Sequence, residues 1–144
     1  MKKTMEQFEQ YKYLIIPALV WFGIQLFKVI YDYYETKKWN WTRMFGTGGM
    51  PSSHSAVVAC LTTMIGKNQG VTSVSFAISF FLATIVMQDA MGVRRSVGEH
   101  AKILNDILND RKKTGVQKLQ EMTGHTPVQV VAGAIIGFLV GMFF

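Results

Sequence analysis

Apolar residues along the chain are gathered into four blocks, which polar, charged or glycine-rich stretches separate. The first and third blocks are about as long as a helix that spans a bilayer, whereas the second is shorter. The blocks predict helices at approximately 11–34, 52–66, 71–91 and 126–144. We therefore expect an all-α integral membrane protein with about four membrane-embedded helices, one of them short, in a single domain over 1–144.

A different pattern lies between the third and fourth blocks. Apolar residues recur at helical spacing from Val97 to Leu108, and most of the charged residues lie off that stripe. This pattern is typical of an amphipathic helix at a membrane surface. We expect an interfacial insertion at about 95–122, with the amphipathic helix over 95–111 and a second short helix near 116–122.

The last apolar block carries Gly133, Gly137 and Gly141 at every fourth position. This spacing gives a helix a flat face that allows a neighbouring helix to approach closely. The neighbour is either a helix of the same chain, which we favour in so small a protein, or a second copy in a homo-oligomer.

Composition narrows the class of protein. Hydrophobic residues make up 49% of the 144 residues, and the formal net charge is +6. Cys60 is the single cysteine, so there is no disulfide framework and no cysteine cluster for a metal ion. No small-residue cleavage site follows the charged N-terminus, so we expect no removable signal peptide. We expect the bilayer as a partner and no nucleic acid.

The stretch from Gly48 to Ala56 is the strongest candidate for a functional element. Two glycines free the backbone, Pro51 suits a first helical turn, and serine hydroxyls lie beside the exposed N–H groups of a helix N-terminus. Such a terminus binds anions, and His54 adds a group that exchanges a proton near neutral pH. A phosphate site with a proton donor fits this stretch, and so does a capped helix start with an incidental histidine.

Topology brings further candidates to the same place. If the four blocks cross the membrane in alternating directions, His54, Arg94, Arg95 and His125 all lie at one face. That face also carries ten Lys and Arg residues, whereas the opposite face has four. The positive-inside tendency therefore predicts a multi-pass protein of the cell membrane, with this face in the cytoplasm and both termini outside.

Lys28 lies well inside the first apolar block, where a charge is costly. Either it serves a polar cavity, or its ammonium snorkels to the membrane surface. His100 lies on the flank of the amphipathic stripe, and we expect it to be interfacial rather than catalytic.

Two histidines and an arginine pair at one face indicate phosphoryl transfer. Arginines bind phosphate oxygens, one histidine can attack phosphorus, and another can protonate the leaving oxygen. In three stretches, namely 48–56, 89–95 and 124–137, the sequence resembles the divergent branch of the type-2 phosphatidic acid phosphatase and vanadium haloperoxidase-related family. Many members of the wider superfamily are membrane enzymes that dephosphorylate lipid phosphates or pyrophosphates without a metal.

The resemblance implies roles for individual residues. Pro51-Ser52-Ser53-His54 is similar to the superfamily's Pro-Ser-Gly-His, which makes His54 the general acid. His125 corresponds to the nucleophilic histidine. The implied phosphate-binding set comprises Ser52, Ser53, Arg94, Arg95 and Lys28.

The sequence departs from the family pattern four residues after His125, where Gln129 replaces the orienting aspartate. A carboxylate holds the histidine tautomer and stabilises the imidazolium, which a neutral amide does less well. Asp89 is a candidate to supply the missing carboxylate, if the end of the third block packs against His125. Alternatively, Asp89 pairs with Arg94 or Arg95.

Two functions follow from these residues. The first is a metal-independent, cofactor-free phosphatase of a lipid phosphate, or of a polyprenyl phosphate or pyrophosphate, that acts through a phosphohistidine. The second is a membrane protein without catalytic activity that binds or translocates a phosphorylated lipid with the same anion pocket.

Overall fold

A computed structural model describes residues 2–46, 48–110, 118, 119, 121 and 123–144. The helices are α1 (Lys2–Thr36), α2 (Ser53–Gln69), α3 (Val74–Met91), α4 (Val93–Asp110) and α5 (Pro127–Phe143), and Trp41–Phe45 form a short 3₁₀ helix. The described residues contain no strand. The all-α prediction is confirmed.

Two helices begin at other positions than the sequence pattern predicts. α1 begins at Lys2, well before its apolar block, and the Lys12 ammonium donates a hydrogen bond of 2.7 Å to the Glu9 carboxylate one turn earlier. Such pairs stabilise a polar stretch of helix. α3 begins at Val74, about one turn after the predicted start, because the Ser73 side chain caps it.

The ends of α2 also differ from the predicted ones. Ser52 is the N-cap and the helix starts at Ser53, so Pro51 precedes the helix instead of lying in its first turn. At the other end the helix continues through Gly66 and is closed by Gly70, whose φ is 87° and whose N–H donates to Gly66 O. A glycine adopts this left-handed conformation readily, so the helix ends there.

The connection between α3 and α5 is helical in its first part. α4 begins directly after Gly92 and ends at Asp110. Much of the short helix predicted near 116–122 lies outside the described residues, and the described residues there, Lys118, Leu119 and Glu121, are not helical.

α2 is the central helix, and α5 runs parallel to it at close range. Gly133, Gly137 and Gly141 of α5 lie against the backbone of Ser52, Ala56 and Cys60 of α2. A Cβ added to Gly137 would lie 2.0 Å from Ala56 O, so this approach requires glycine. The glycine face is therefore used within the chain, between two helices that have small residues at the same spacing.

α1 and α3 run antiparallel to α2. Lys12 near the start of α1 donates to Asn68 near the end of α2 at 3.2 Å, and Thr62 of α2 donates to Ser79 O of α3 at 3.1 Å. The C-terminal ends of α1 and α3 therefore meet the N-terminal ends of α2 and α5. We call this end of the bundle the site end.

The distribution of side chains is that of a protein in lipid. Polar side chains lie inside the bundle, among them Gln25, Lys28, Ser52, Ser53 and Ser79. Large apolar side chains cover the outside of α3, namely Ile78, Phe80, Phe81, Leu82 and Ile85. Tyr11–Thr36 and Val74–Asn109 are long and apolar enough to cross a membrane, and α5 is apolar but shorter.

We expect Gly137→Ala to destabilise the bundle, because the added methyl group collides with the α2 backbone. Overpacking of this kind costs about 1–3 kcal/mol. Gly23→Ala in α1 is the matched control, since a Cβ there meets nothing within 4 Å. Thermal unfolding of both variants in detergent tests the contact. A melting temperature that Gly137→Ala leaves unchanged would contradict the close approach of α2 and α5.

Candidate functional site

The start of α5 is held by a capping box. The Gln129 N–H donates to Thr126 Oγ1 at 3.4 Å, and the Thr126 N–H donates to Gln129 Oε1 at 3.0 Å. These reciprocal bonds satisfy two N–H groups at the helix N-terminus. They also fix the orientation of the Gln129 amide, because the atom that accepts from Thr126 is an oxygen.

His125 lies directly before this cap, outside the apolar helix, and is only 3% exposed. Its backbone N–H donates to Ala90 O of α3 at 2.9 Å, and its Nδ1 lies 3.2 Å from Gln129 Oε1. Because that oxygen can only accept, Nδ1 carries the proton and donates it. The lone pair of the neutral ring is then on Nε2, which is buried and has no hydrogen-bond partner among the described residues.

The surroundings of His125 favour its neutral form. Burial lowers the pKa of the His125 imidazole from its ordinary 6.5, and the hydrogen bond to Gln129 opposes this effect. The positive charges of Lys28 and Arg94, and His54, also lower this pKa. A neutral imidazole with its lone pair on Nε2 is the form that attacks as a nucleophile.

The serines of the 48–56 stretch are buried and bonded to each other. Ser52 Oγ accepts from the Ser55 N–H at 3.4 Å and from Ser55 Oγ at 2.9 Å, so it caps α2. The Ser52 N–H donates to Gln129 O at 3.0 Å and joins the start of α2 to the start of α5. Ser53 is also buried, whereas His54 is only partly buried. The capped helix start is therefore present. No contact of Ser52 or Ser53 shows whether either side chain binds phosphate.

Both arginines lie at the site end, and each is paired with a carboxylate. Arg94 Nε donates to the Asp89 carboxylate, and Arg95 Nε donates to Glu99 Oε1 at 3.1 Å. The structure therefore gives Asp89 the arginine partner that we considered as its alternative. The side chain that bonds to the His125 ring is Gln129.

Lys28 lies inside the bundle and does not snorkel to its rim. It is 8% exposed, and its ammonium donates to Gly48 O at 3.1 Å. Its charge acts on His125 across the site end. A buried ammonium whose charge reaches both histidines of the site end attracts an anion to this end.

Two cavities meet at Gly48 and Gly49, which line both. The smaller cavity has a volume of about 210 Å³ and is lined by polar and charged side chains, namely Arg95, Glu121, Thr123, His125, Thr126 and Gln129. The larger, of about 560 Å³, lies between α1 and α5 and has mainly apolar walls, among them Ile24, Phe27 and Ile136, although Lys28, Asp32 and Glu35 also line it. We call them the polar pocket and the apolar groove. Ser52, Ser53, His54 and Arg94 line neither.

Sequence reasoning missed two residues of this region, Glu121 and Asn105. Asn105 is a polar residue next to the apolar stripe of α4, and a polar residue at such a position indicates a buried hydrogen-bond partner. Glu121 lies in the stretch for which we predicted a short helix, and nothing in the sequence there marks it as a site residue. The Thr126-x-x-Gln129 spacing is the pattern of a capping box, which explains the glutamine that the family pattern leaves unexplained.

Gly124 fits His125 against α4. Its φ is 90°, and a Cβ at this position would lie 2.4 Å from the Arg95 backbone N. Any other residue would be strained and would also push the chain away from α4. The arginine helix and the histidine are thereby held next to each other.

Comparison with known proteins gives two matches. The sequence profile of the divergent PAP2 family matches residues 9–140, which include all three motifs. YuiD of Bacillus subtilis (strain 168), whose printed name is uncharacterized membrane protein, is 37% identical over 129 residues, which cover 80% of this chain and 82% of YuiD. No solved structure matches the chain.

We expect Gln129→Glu to keep the capping box, because glutamate also serves at this position, and to place a carboxylate against His125 Nδ1. The negative charge of the carboxylate should raise the pKa of His125, because it stabilises the imidazolium. NMR of the protein with ¹⁵N-labelled histidine rings measures this pKa and shows which nitrogen carries the proton. The His100 signal, from an exposed site on α4, should be the same in both proteins. A parent protein with the His125 proton on Nε2 would contradict the tautomer.

Proposed function

Because this chain is a membrane protein that belongs to the divergent PAP2 family, we propose that it removes phosphate from a phosphorylated lipid through a phosphohistidine at His125. The observation that carries the proposal is the state of this histidine. Its Nδ1 donates to Gln129 and its buried Nε2 is unpartnered within the described part of the chain. A nucleophile oriented in this way, in a pocket with an arginine, fits the chemistry of the family.

In the first step, His125 Nε2 attacks phosphorus and the bond from phosphorus to the lipid oxygen breaks. The lipid oxygen leaves with the bonding electron pair and takes a proton, which we assign to His54 as general acid. The Nδ1 proton stays on the ring and keeps its bond to Gln129. The charge of the phosphoryl group is offset by Arg94, Arg95 and Lys28.

In the second step, water attacks phosphorus and gives a proton to His54, which the first step left neutral, and the bond from phosphorus to Nε2 breaks. Inorganic phosphate leaves, and the electron pair returns to Nε2. The ring is again neutral with its proton on Nδ1, so the site is ready for another substrate. The depressed pKa of His125 supports this cycle, because the ring remains a nucleophile at a lower pH than an ordinary histidine.

The two adjoining cavities support the proposal that the substrate is a lipid. His125 and Arg95 line the polar pocket, which shares Gly48 and Gly49 with the apolar groove. A molecule with a phosphate head and a hydrocarbon chain fits such a pair, because the first cavity holds charged and hydrogen-bonding side chains and the second offers mainly apolar surface.

Binding without hydrolysis is the second candidate function, and Gln129 favours it. A neutral amide orients His125 but adds no negative charge to stabilise an imidazolium. In a protein of this kind the same pocket and groove would hold or translocate a phosphorylated lipid. Phosphate release by the purified protein distinguishes the two functions.

We propose that the site end faces the cytoplasm. The Lys and Arg residues assigned to this face are residues 37, 38, 43, 94, 95, 102, 111, 112, 113 and 118, against 2, 3, 12 and 67 at the other. Positive residues are retained on the cytoplasmic side during membrane insertion.

A cysteine at Lys38 should resist an impermeant thiol reagent in intact cells, whereas one at Lys67 should react.

We expect the protein in detergent to release phosphate from one or more members of a panel of lipid phosphates and pyrophosphates, and to form a ³²P-phosphohistidine from the labelled substrate. His125→Ala should abolish both. His54→Ala should slow formation of the phosphohistidine by about 10²–10⁴-fold, most for poor leaving groups.

His100→Ala is the control, since His100 is exposed on α4 and lines neither cavity. It should behave as the parent protein does. Phosphate release that survives His125→Ala would exclude His125 as the nucleophile. A parent protein that binds lipid phosphates but releases no phosphate would favour the binding function.

A further inference from the structure

We infer that the polar pocket selects a phosphorylated lipid with a hydrogen-bond donor, a hydroxyl or an ammonium group, next to its phosphate, and that Glu121 binds this donor. The inference rests on the proposed function, since it concerns the substrate of the same site. It comes from the placement of a carboxylate in a pocket for an anion.

Glu121 lines the polar pocket together with Arg95 and His125. A carboxylate close to a phosphate repels it, so this glutamate weakens the binding of a bare phosphate group. The repulsion is offset when the ligand itself brings a donor to the carboxylate, because hydrogen bonds to charged groups are the stronger ones. A pocket with a guanidinium and a carboxylate therefore fits a head group that has a phosphate and a donor.

Glu121 is held in place by Asn105, which is 2% exposed on α4. Asn105 Nδ2 donates to Glu121 Oε1 at 2.8 Å and to Leu119 O at 2.9 Å, and Asn105 Oδ1 accepts from the Leu119 N–H at 2.9 Å. The buried Asn105 amide thus uses both its oxygen and its nitrogen to hold Leu119 and the Glu121 carboxylate. The bond to Asn105 uses one of several acceptor positions of the carboxylate, which can still accept from a ligand.

The position of Glu121 is also tied to that of the nucleophile. Gly124 lies against the Arg95 backbone, and the His125 N–H donates to Ala90 O. Leu119 and Glu121 are therefore bonded to Asn105 of α4, and His125 is bonded to the end of α3. Glu121 and His125 are thus each held by a hydrogen bond to a neighbouring helix, and both line the polar pocket.

The size of the pocket limits the donor to a small group. About 210 Å³ is less than the volume of most pockets that bind drug-sized ligands. A hydroxyl or amine on the carbon next to the phosphate ester fits such a space. Prenyl phosphates, which have no such donor, should be poor substrates.

The test compares three single-chain lipid phosphates with the same acyl chain, using the full-length protein in detergent. One is a 1-acylglycerol 3-phosphate with its free 2-hydroxyl, the second is its 2-deoxy analogue, and the third has a 2-amino group. We expect kcat/KM to be about ten- to a hundredfold higher for the two donor-bearing lipids than for the deoxy lipid.

Glu121→Gln should remove most of this preference. The glutamine oxygen still accepts from Asn105, so the segment stays attached, but the negative charge is lost. Turnover of the deoxy lipid should rise, because the repulsion of its phosphate is relieved. Asp106→Asn changes an exposed carboxylate of α4 and is the control, which should keep the preference of the parent protein.

A parent protein that hydrolyses all three lipids equally, or a Glu121→Gln variant that keeps the full preference, overturns the inference. If the parent releases no phosphate from any lipid, the proposed phosphatase fails. The affinities of the matching non-hydrolysable phosphonates then decide the inference separately. A donor preference that Glu121→Gln abolishes supports it, and equal affinities overturn it.

Discussion

The rest of the structure depends on the close contact between α2 and α5. Gly133, Gly137 and Gly141 allow the two backbones to touch, and the small residues of α2 are spaced to match. Packing without intervening side chains is a main source of helix association in lipid, where burial of apolar surface contributes little. Because the two helices run parallel, the same contact brings their N-terminal ends together, with His54 on one and His125 just before the other.

His125 is oriented by backbone and amide groups and not by a carboxylate. Gln129 caps α5, fixes the Nδ1 proton of His125, and accepts the Ser52 N–H through its backbone oxygen. One residue therefore links the helix start, the histidine tautomer and the contact between α2 and α5. This arrangement orients the imidazole of His125 but places no negative charge beside it. The neutral form of the imidazole is therefore favoured, and its burial and the neighbouring positive charges favour the same form.

Much of the fold could be predicted from the sequence, because apolar blocks of bilayer length and a glycine repeat are strong local signals. The alternation of the four blocks was enough to predict that His54 and His125 lie at the same end as Arg94 and Arg95. The contacts of individual side chains were harder to predict. The role that we propose for Glu121 depends on a hydrogen bond from Asn105, which lies sixteen positions earlier in the chain. Asp89 has several candidate partners in the sequence, and only the structure shows that it pairs with Arg94.

The most direct test of the central claim is a structure of the protein with orthovanadate, which has the shape and charge of phosphate and accepts a fifth ligand as phosphorus does during transfer. We predict vanadium bonded to His125 Nε2, with vanadate oxygens near Arg95 and the Nδ1 bond to Gln129 intact. A vanadate bound at another place, with His125 Nε2 not in contact with it, would contradict the assignment of His125 as the nucleophile of a phosphate site.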